Sequence, residues 1–347
     1  MKRTVIALAA LAAAALMGAS ALAQDRIEIK IGAATAADHS AVFVGVERGI
    51  FARNGLDPKV VLQPTGVELI NGLLNGAHDV SVLGSTPFIT GVGRGMPLLL
   101  IGHLHGDATR DFYSESNSVV ASAASGIKEG QVAALKGKKI GYPRASGAET
   151  HARGVMEQAG ISPNDATVIN LRPSDIPTAL RNGDVDAVSA WEPWASAAEL
   201  KVPGAVRVIW GKCQSCYDPG TILTTRGVAG AKPEALRRFM VAFAEAHQWL
   251  RQNLDAAAEI NMRWIPGVDL DVMKTAIRHS VYDLRLSKNT TDGYNTRAIP
   301  VFVKDGRVPK AYDMASAIDP QFYLHAQKTA PQFFTDLPPI PENKQLR

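Results

Sequence analysis

The sequence predicts an α/β protein built as two similar lobes of largely parallel sheet. Three observations carry this expectation. Short β-rich runs alternate with helical segments along most of the chain. The order βαβαβ recurs, with Asn75-Gly76 and Asp79 matched about 107 residues later by Asn182-Gly183 and Asp186. The chain has 347 residues, 46% of them apolar, more than a single core of roughly 250–300 residues usually holds.

The elements follow in order. IEIKIG (27–32) reads as a strand. SAVFVGVERGIFARNG places Val42, Val46 and Ile50 at helical spacing, with Asp38, His39 or Ser40 at its start and Asn54-Gly55 as its stop. DPKVVLQ is the second strand, GVELINGLLNG a helix closed by Gly76, and DVSVLG the third strand. TPFITGVGRG opens a helix with Pro87 in its first turn, and PLLLIG is the fourth strand. The second set runs GKKIGYP (strand), GAETHARGVMEQAG (helix), ATVINL (strand), SDIPTALRNG (helix) and VDAVSA (strand). From Gly230 three helical segments follow one another, and the end, TDLPPIPENKQLR, is Pro-rich and irregular. A helical tail that packs back on the first lobe requires two crossings, placed near 107–117 and 218–226 and read as hinge strands. The expected division is 1–23 leader, 24–112 first lobe, 113–222 second lobe, 223–300 helical remainder of the first lobe, and 301–347 C-terminal extension.

Residues 1–23 have a positive start, an Ala-rich apolar run and Ala21-Leu22-Ala23 as a cleavage site. Export with cleavage after Ala23 is expected; Gln24 follows where a lipid anchor needs Cys. The formal charge of +4 includes Lys2 and Arg3 of that leader, and no basic run or aromatic-basic stripe marks a nucleic-acid surface. Cys213 and Cys216 are the two cysteines. They precede YDPG, whose turn chemistry cannot promptly open the helix a redox C-x-x-C needs, so a small structural disulfide is expected.

Candidate site residues lie where strands end and helices begin, the position at which open parallel sheets hold ligands. Asp38, His39 and Ser40 form one such turn, and Ser85-Thr86 the next. Arg144, Ser146 and Gly147 combine a guanidinium, a hydroxyl and free helix N–H groups, which suits an anion. Trp191 and Glu192 end the strand VDAVSA, and are expected to give an indole face and a carboxylate that accepts from a ligand donor. Each of these groups can also be an ordinary helix cap. His103, His105 and Asp107 share one face of an extended segment and can ligate a metal, but no further Cys/His cluster supports them and no metal is expected. GVGRG (91–95) has the wrong spacing for a dinucleotide fingerprint.

LLNGAHDVSVLGSTP, SGIKEGQVAALKGKKIGYPRASGAETHARGVMEQAGI and LRPSDIPTALRNGDVDAVSAWEPW resemble the solute-binding proteins of ABC importers for sulfonates, taurine and nitrate, a group that includes thiamine-pyrimidine binders. The resemblance spans about residues 27–280. It implies the type II periplasmic-binding-protein fold, a ligand held between two lobes, and docking onto a permease in the inner membrane. Binding positions then fall near His39, at Ser85-Thr86, at Ser146-Gly147 and at Trp191-Glu192. Sulfonate binders commonly show Gly-Ser ahead of an Ala-His pair, whereas this chain has Ala145-Ser146-Gly147 and then Thr150-His151. The expectation is a periplasmic, monomeric, non-enzymatic capture protein without cofactor. Its solute would be small and anionic or zwitterionic, of the sulfonate or taurine kind. The alternatives are a binder of a pyrimidine or other nitrogen-containing aromatic, and an enzyme of the related pyrimidine-synthase class.

Overall fold

The β-branched runs become the strands of two separate sheets in the computed structural model, which describes residues 26–111, 113, 115 and 117–346. The predicted leader and its cleavage after Ala23 lie outside the described residues. The first sheet takes β1 (Ile27–Ala34), β2 (Leu56–Gln63), β3 (Val80–Gly84), β4 (Leu98–His105) and β10 (Gly220–Thr225), in the order β2-β1-β3-β10-β4. The second takes β5 (Asn117–Ala121), β6 (Lys139–Tyr142), β7 (Thr167–Asn170), β8 (Ala187–Trp191) and β9 (Val206–Trp210), in the order β7-β6-β8-β5-β9. Each sheet pairs three strands in parallel and receives one antiparallel strand next to its edge: β10 between β3 and β4, β5 between β8 and β9.

The repeated Asp has one job in both halves. Asp79 accepts at 2.9 Å from the Lys30 N–H of β1, and Asp186 accepts at 2.8 Å from the Lys139 N–H of β6. Each therefore fixes the entry of the third strand of its sheet against the first. The carboxyl ends of β1 (Ala34), β3 (Gly84) and β4 (His105) in one lobe and of β8 (Trp191) in the other come together between the lobes.

Two expectations are corrected. The segment after β1 is not one helix: Gly49 at φ +65° ends Ser40–Glu47, and Ile50–Arg53 starts a short second helix, since a left-handed residue cannot continue a right-handed turn. The second crossing is expected over 218–226, yet most of that segment is β10, buried along its whole length. The chain returns to the first sheet before that strand, over 211–219, where the Asp218 N–H donates to the Tyr113 carbonyl of the segment between β4 and β5 at 3.0 Å.

The long helix Pro233–Gln252 buries Leu236, Phe239, Met240, Phe243, Ala246 and Leu250, a stripe at three- and four-residue spacing. Phe239 stacks on Phe51 and on Phe243, so this helix closes the first lobe. Helix Gln321–Thr329 packs on it in turn. The outer edge of β4 is covered: Leu284 accepts from the His103 N–H, and Leu100 bridges to Ile318. The Pro-rich end is held by an Arg251–Asp336 ion pair at 2.7 Å. No helix among the described residues is long and apolar enough to cross a membrane.

Candidate functional site

A cavity of about 60 Å³ lies between the lobes, room for roughly four or five water-sized positions. The tips of β1, β3, β4, β5 and β8 and the second crossing line it. From the first lobe come Asp38, His39, Thr65 and His105; from the second, Asn117, Ser146, Gly147 and Trp191; Asp218 arrives from the crossing.

After β1 the chain makes a single 3-10 turn, Ala37–His39. His39 Nδ1 accepts from the Ala34 N–H at 2.8 Å, and burial pulls the imidazole below its ordinary range. Asp38 Oδ2 lies 3.0 Å from His105 Nε2. Burial alone would raise the Asp38 carboxyl, but the imidazoles of His39 and His105 outweigh it and hold the group below its usual range. The other oxygen, Asp38 Oδ1, is buried without a hydrogen-bond partner among the described residues.

The opposite wall depends on one close approach. Asn117 Nδ2 donates to Asp218 Oδ2 at 2.6 Å, and a Cβ on Gly147 would stand 3.0 Å from each of these atoms. A larger residue at the start of helix Gly147–Gln158 would need these side chains to give by a few tenths of an ångström. Burial pushes the Asp218 carboxyl up to about 7, with the Asp38 charge acting in the same direction. The carboxyl of Asp218 thus occupies the helix start where an incoming anion was expected. Asn117 Oδ1, on a side chain only 4% exposed, has no partner among the described residues.

Of the residues singled out from sequence, Asp38, His39, Ser146, Gly147 and Trp191 come together around the cavity. His105, read from sequence only as a possible metal ligand, lines it too; the others do not. Glu192 is turned into the protein: Oε1 takes Arg207 Nη1 at 2.9 Å and His279 Nδ1 at 2.8 Å, and Oε2 accepts from the Ser196 N–H at 3.0 Å. Both oxygens are engaged within the protein and the residue is 5% exposed, outside the cavity lining. Ser40 donates to the Ala37 carbonyl and accepts from Asn261. Ser85 bonds the Pro219 carbonyl and Tyr294. Thr86 and Thr150 bond each other across the lobes at 2.9 Å. Arg144 lines a different groove. Ser146 itself caps its helix, accepting from the Glu149 N–H while donating to the Pro143 carbonyl. Asn117 and Asp218 are not marked by any sequence motif; the Pro-Gly after Asp218 marks only a turn.

Burial, with His105 acting in the same direction, depresses His103 to about 3, and Asp107 accepts from Thr109. Among the described residues no group of three or more His, Cys, Asp or Glu is placed to hold a metal ion. Cys213 and Cys216 form a disulfide in the second crossing, packed against Gly154 of helix Gly147–Gln158.

The lobes touch around the cavity through the Ala37 N–H to the Glu192 carbonyl at 2.9 Å and Trp194 Nε1 to the Thr35 carbonyl at 3.2 Å. Two α/β lobes joined by two crossings and closing on a cavity between them define the periplasmic-binding-protein fold. The chain belongs to the family described as NMT1/THI5 like, which matches residues 36–257. It is 31% identical over 288 residues to a putative aliphatic sulfonates-binding protein of Bacillus subtilis, covering 81% of this chain and 83% of that one. A putative thiamine biosynthesis protein of Haemophilus influenzae is 29% identical over 48% of this chain and 50% of its own. Among solved structures, the alkanesulfonate-binding protein of Xanthomonas axonopodis pv. citri bound to MOPS superposes with a TM-score of 0.74 at 22% identity, covering 85% of this chain and 99% of that one. The periplasmic nitrate-binding protein of Synechocystis gives 0.73 at 14% identity, over 91% and 92%.

Proposed function

We propose that the protein is the periplasmic solute-binding component of an ABC importer, exported by cleavage after Ala23, and that it captures a small amine-bearing solute and hands it to a membrane permease without chemical change. The names of its relatives support the capture role. The cavity supports the amine. Asp38, Asn117 and Asp218 line it, Asp38 Oδ1 and Asn117 Oδ1 are buried without a hydrogen-bond partner, and no Lys or Arg lines it among the described residues. An ammonium or N–H group satisfies those acceptors, whereas a bare anion such as nitrate meets carboxylates in a buried site. A zwitterion of the taurine kind fits this reading, with its amine against Asp38. The indole of Trp191 on the same cavity favours, as a second reading, an aminopyrimidine stacked on its face.

The test is a matched pair. Taurine and ethanesulfonate differ by the amine, so taurine is expected to raise the melting temperature and ethanesulfonate to do so far less, with Asp38→Asn removing the difference. Equal responses to the two compounds in the wild type would remove the amine from the reading, and a response to an aminopyrimidine alone would favour the second one.

A further inference from the structure

A second, larger hollow of about 410 Å³ opens beside the cavity. The two share Pro87, and neighbouring residues line both: Gly66 and Ser146 the cavity, Val67 and Ala145 the groove. Its apolar wall is Val67, Pro87 and Met96; its polar rim is Arg94, Arg144 and Arg307. Arg94 and Arg144 are exposed and form no ion pair among the described residues. Arg307 pairs with Asp305 at 3.0 Å and donates to Thr150, but its buried Nε has no partner among the described residues. Glu149 is the one carboxylate on the rim, and it already accepts from the Ala145 N–H at 2.6 Å. The groove is therefore apolar and cationic where the cavity is acidic.

We infer that the groove is a second subsite, which takes the anionic end of an extended solute whose amine lies in the cavity. The inference rests on the amine reading above. A solute of this class is a linear ω-amino acid or ω-aminosulfonate: its methylenes lie along Val67, Pro87 and Met96, and its carboxylate or sulfonate meets guanidinium donors in the paired geometry such groups favour. The opposite charges of the two hollows set its orientation. A short zwitterion fills the cavity alone and leaves the arginines in water.

The experiment titrates glycine, 4-aminobutanoate, 6-aminohexanoate and 8-aminooctanoate into the full chain by calorimetry, with octanoate as the probe lacking an amine. Affinity is expected to climb by about fourfold for each methylene buried, with a further rise at the length whose carboxylate reaches the arginines. The exposed pair Arg94→Gln/Arg144→Gln should cut 8-aminooctanoate binding at least tenfold and leave 4-aminobutanoate unchanged. Octanoate should bind weakly, lose that binding in the same double variant, and ignore Asp38→Asn. Affinity independent of chain length, full-strength binding of 8-aminooctanoate in the double variant, or no octanoate binding would each overturn the groove assignment. Failure of the amine reading looks different: octanoate then binds as well as 8-aminooctanoate, still depending on the arginines.

Discussion

His279 Nδ1 sits 2.8 Å from Glu192 Oε1, and so ties the end of β8 in the second lobe to the helical part of the first. The carboxylate also holds Arg207, and both partners of that pair are largely buried. Removing one member of a buried pair costs about 3–5 kcal/mol where it strands the other, and Arg207 keeps Glu199 at 2.8 Å, which puts this case at the low end. Glu192→Ala is therefore expected to lower stability by that order in urea unfolding, while Glu192→Gln, which keeps an acceptor, loses less. Burial would raise the Glu192 carboxyl, but His279 and Arg207 outweigh it and bring it below its ordinary 4.5. Its contribution is present above that value and fades as the pH falls through the lowered one, so the variant should flatten the acid limb of the stability profile.

Asp218 gives the opposite slope. Its carboxyl rises from 3.8 in the unfolded chain to about 7 in the fold. Between those values the native state keeps a proton that the unfolded state has lost, so this group's effect is a fall in stability with rising pH, by about 4 kcal/mol at most. Asp218→Asn should remove that fall and be the more stable form at pH 8, as measured by melting temperature across pH 4–8. An unchanged profile would place the group in water.

Gly154 answers a different question, whether the disulfide is rigidly seated. A Cβ there would lie 2.4 Å from Cys213 Sγ and 3.0 Å from Cys216 Sγ. A covalent bridge cannot swing aside as a long side chain does, so Gly154→Ala is expected to destabilise by about 1–3 kcal/mol. The same substitution in a Cys213→Ser/Cys216→Ser background, where the sulfurs can part, should cost less.

Thr150 carries two contacts between elements, to Thr86 at 2.9 Å and to Arg307 at 2.7 Å. Thr150→Val keeps the shape and removes both, at about 1–2 kcal/mol. Small-angle scattering of the variant without ligand should show a larger radius of gyration than the wild type if this bond helps hold the lobes together.

How much of this was legible in the chain depends on how far away each residue's partners lie. The parallel strands announce themselves locally, through runs such as DVSVLG and VDAVSA, and the matched Asp79 and Asp186 betray the duplication because each caps the same local geometry. β5 and β10 do not. Their place is set by pairing with β8 and β3, about 70 and 140 residues away along the chain, and nothing in SVVA or TILTT says which sheet they join. The cavity divides in the same way. His39, Ser146 and Trp191 stand at strand ends that periodicity locates, while Asn117 and Asp218 meet only because the two crossings run side by side. Glu192 falls just past its strand, as alternation indicates, but Arg207 and His279 come from elements whose approach no local pattern encodes.

The position of β10 has a consequence for biosynthesis. On a polypeptide that emerges N-terminus first, the second sheet has all its members once residue 210 is made, whereas the first waits for Gly220–Thr225 to slot between β3 and β4. The half that is begun earlier is thus finished later, and until then its two inner margins stand open to any passing strand. A nascent or translocating chain halted between those points would carry one completed half and one needing shelter.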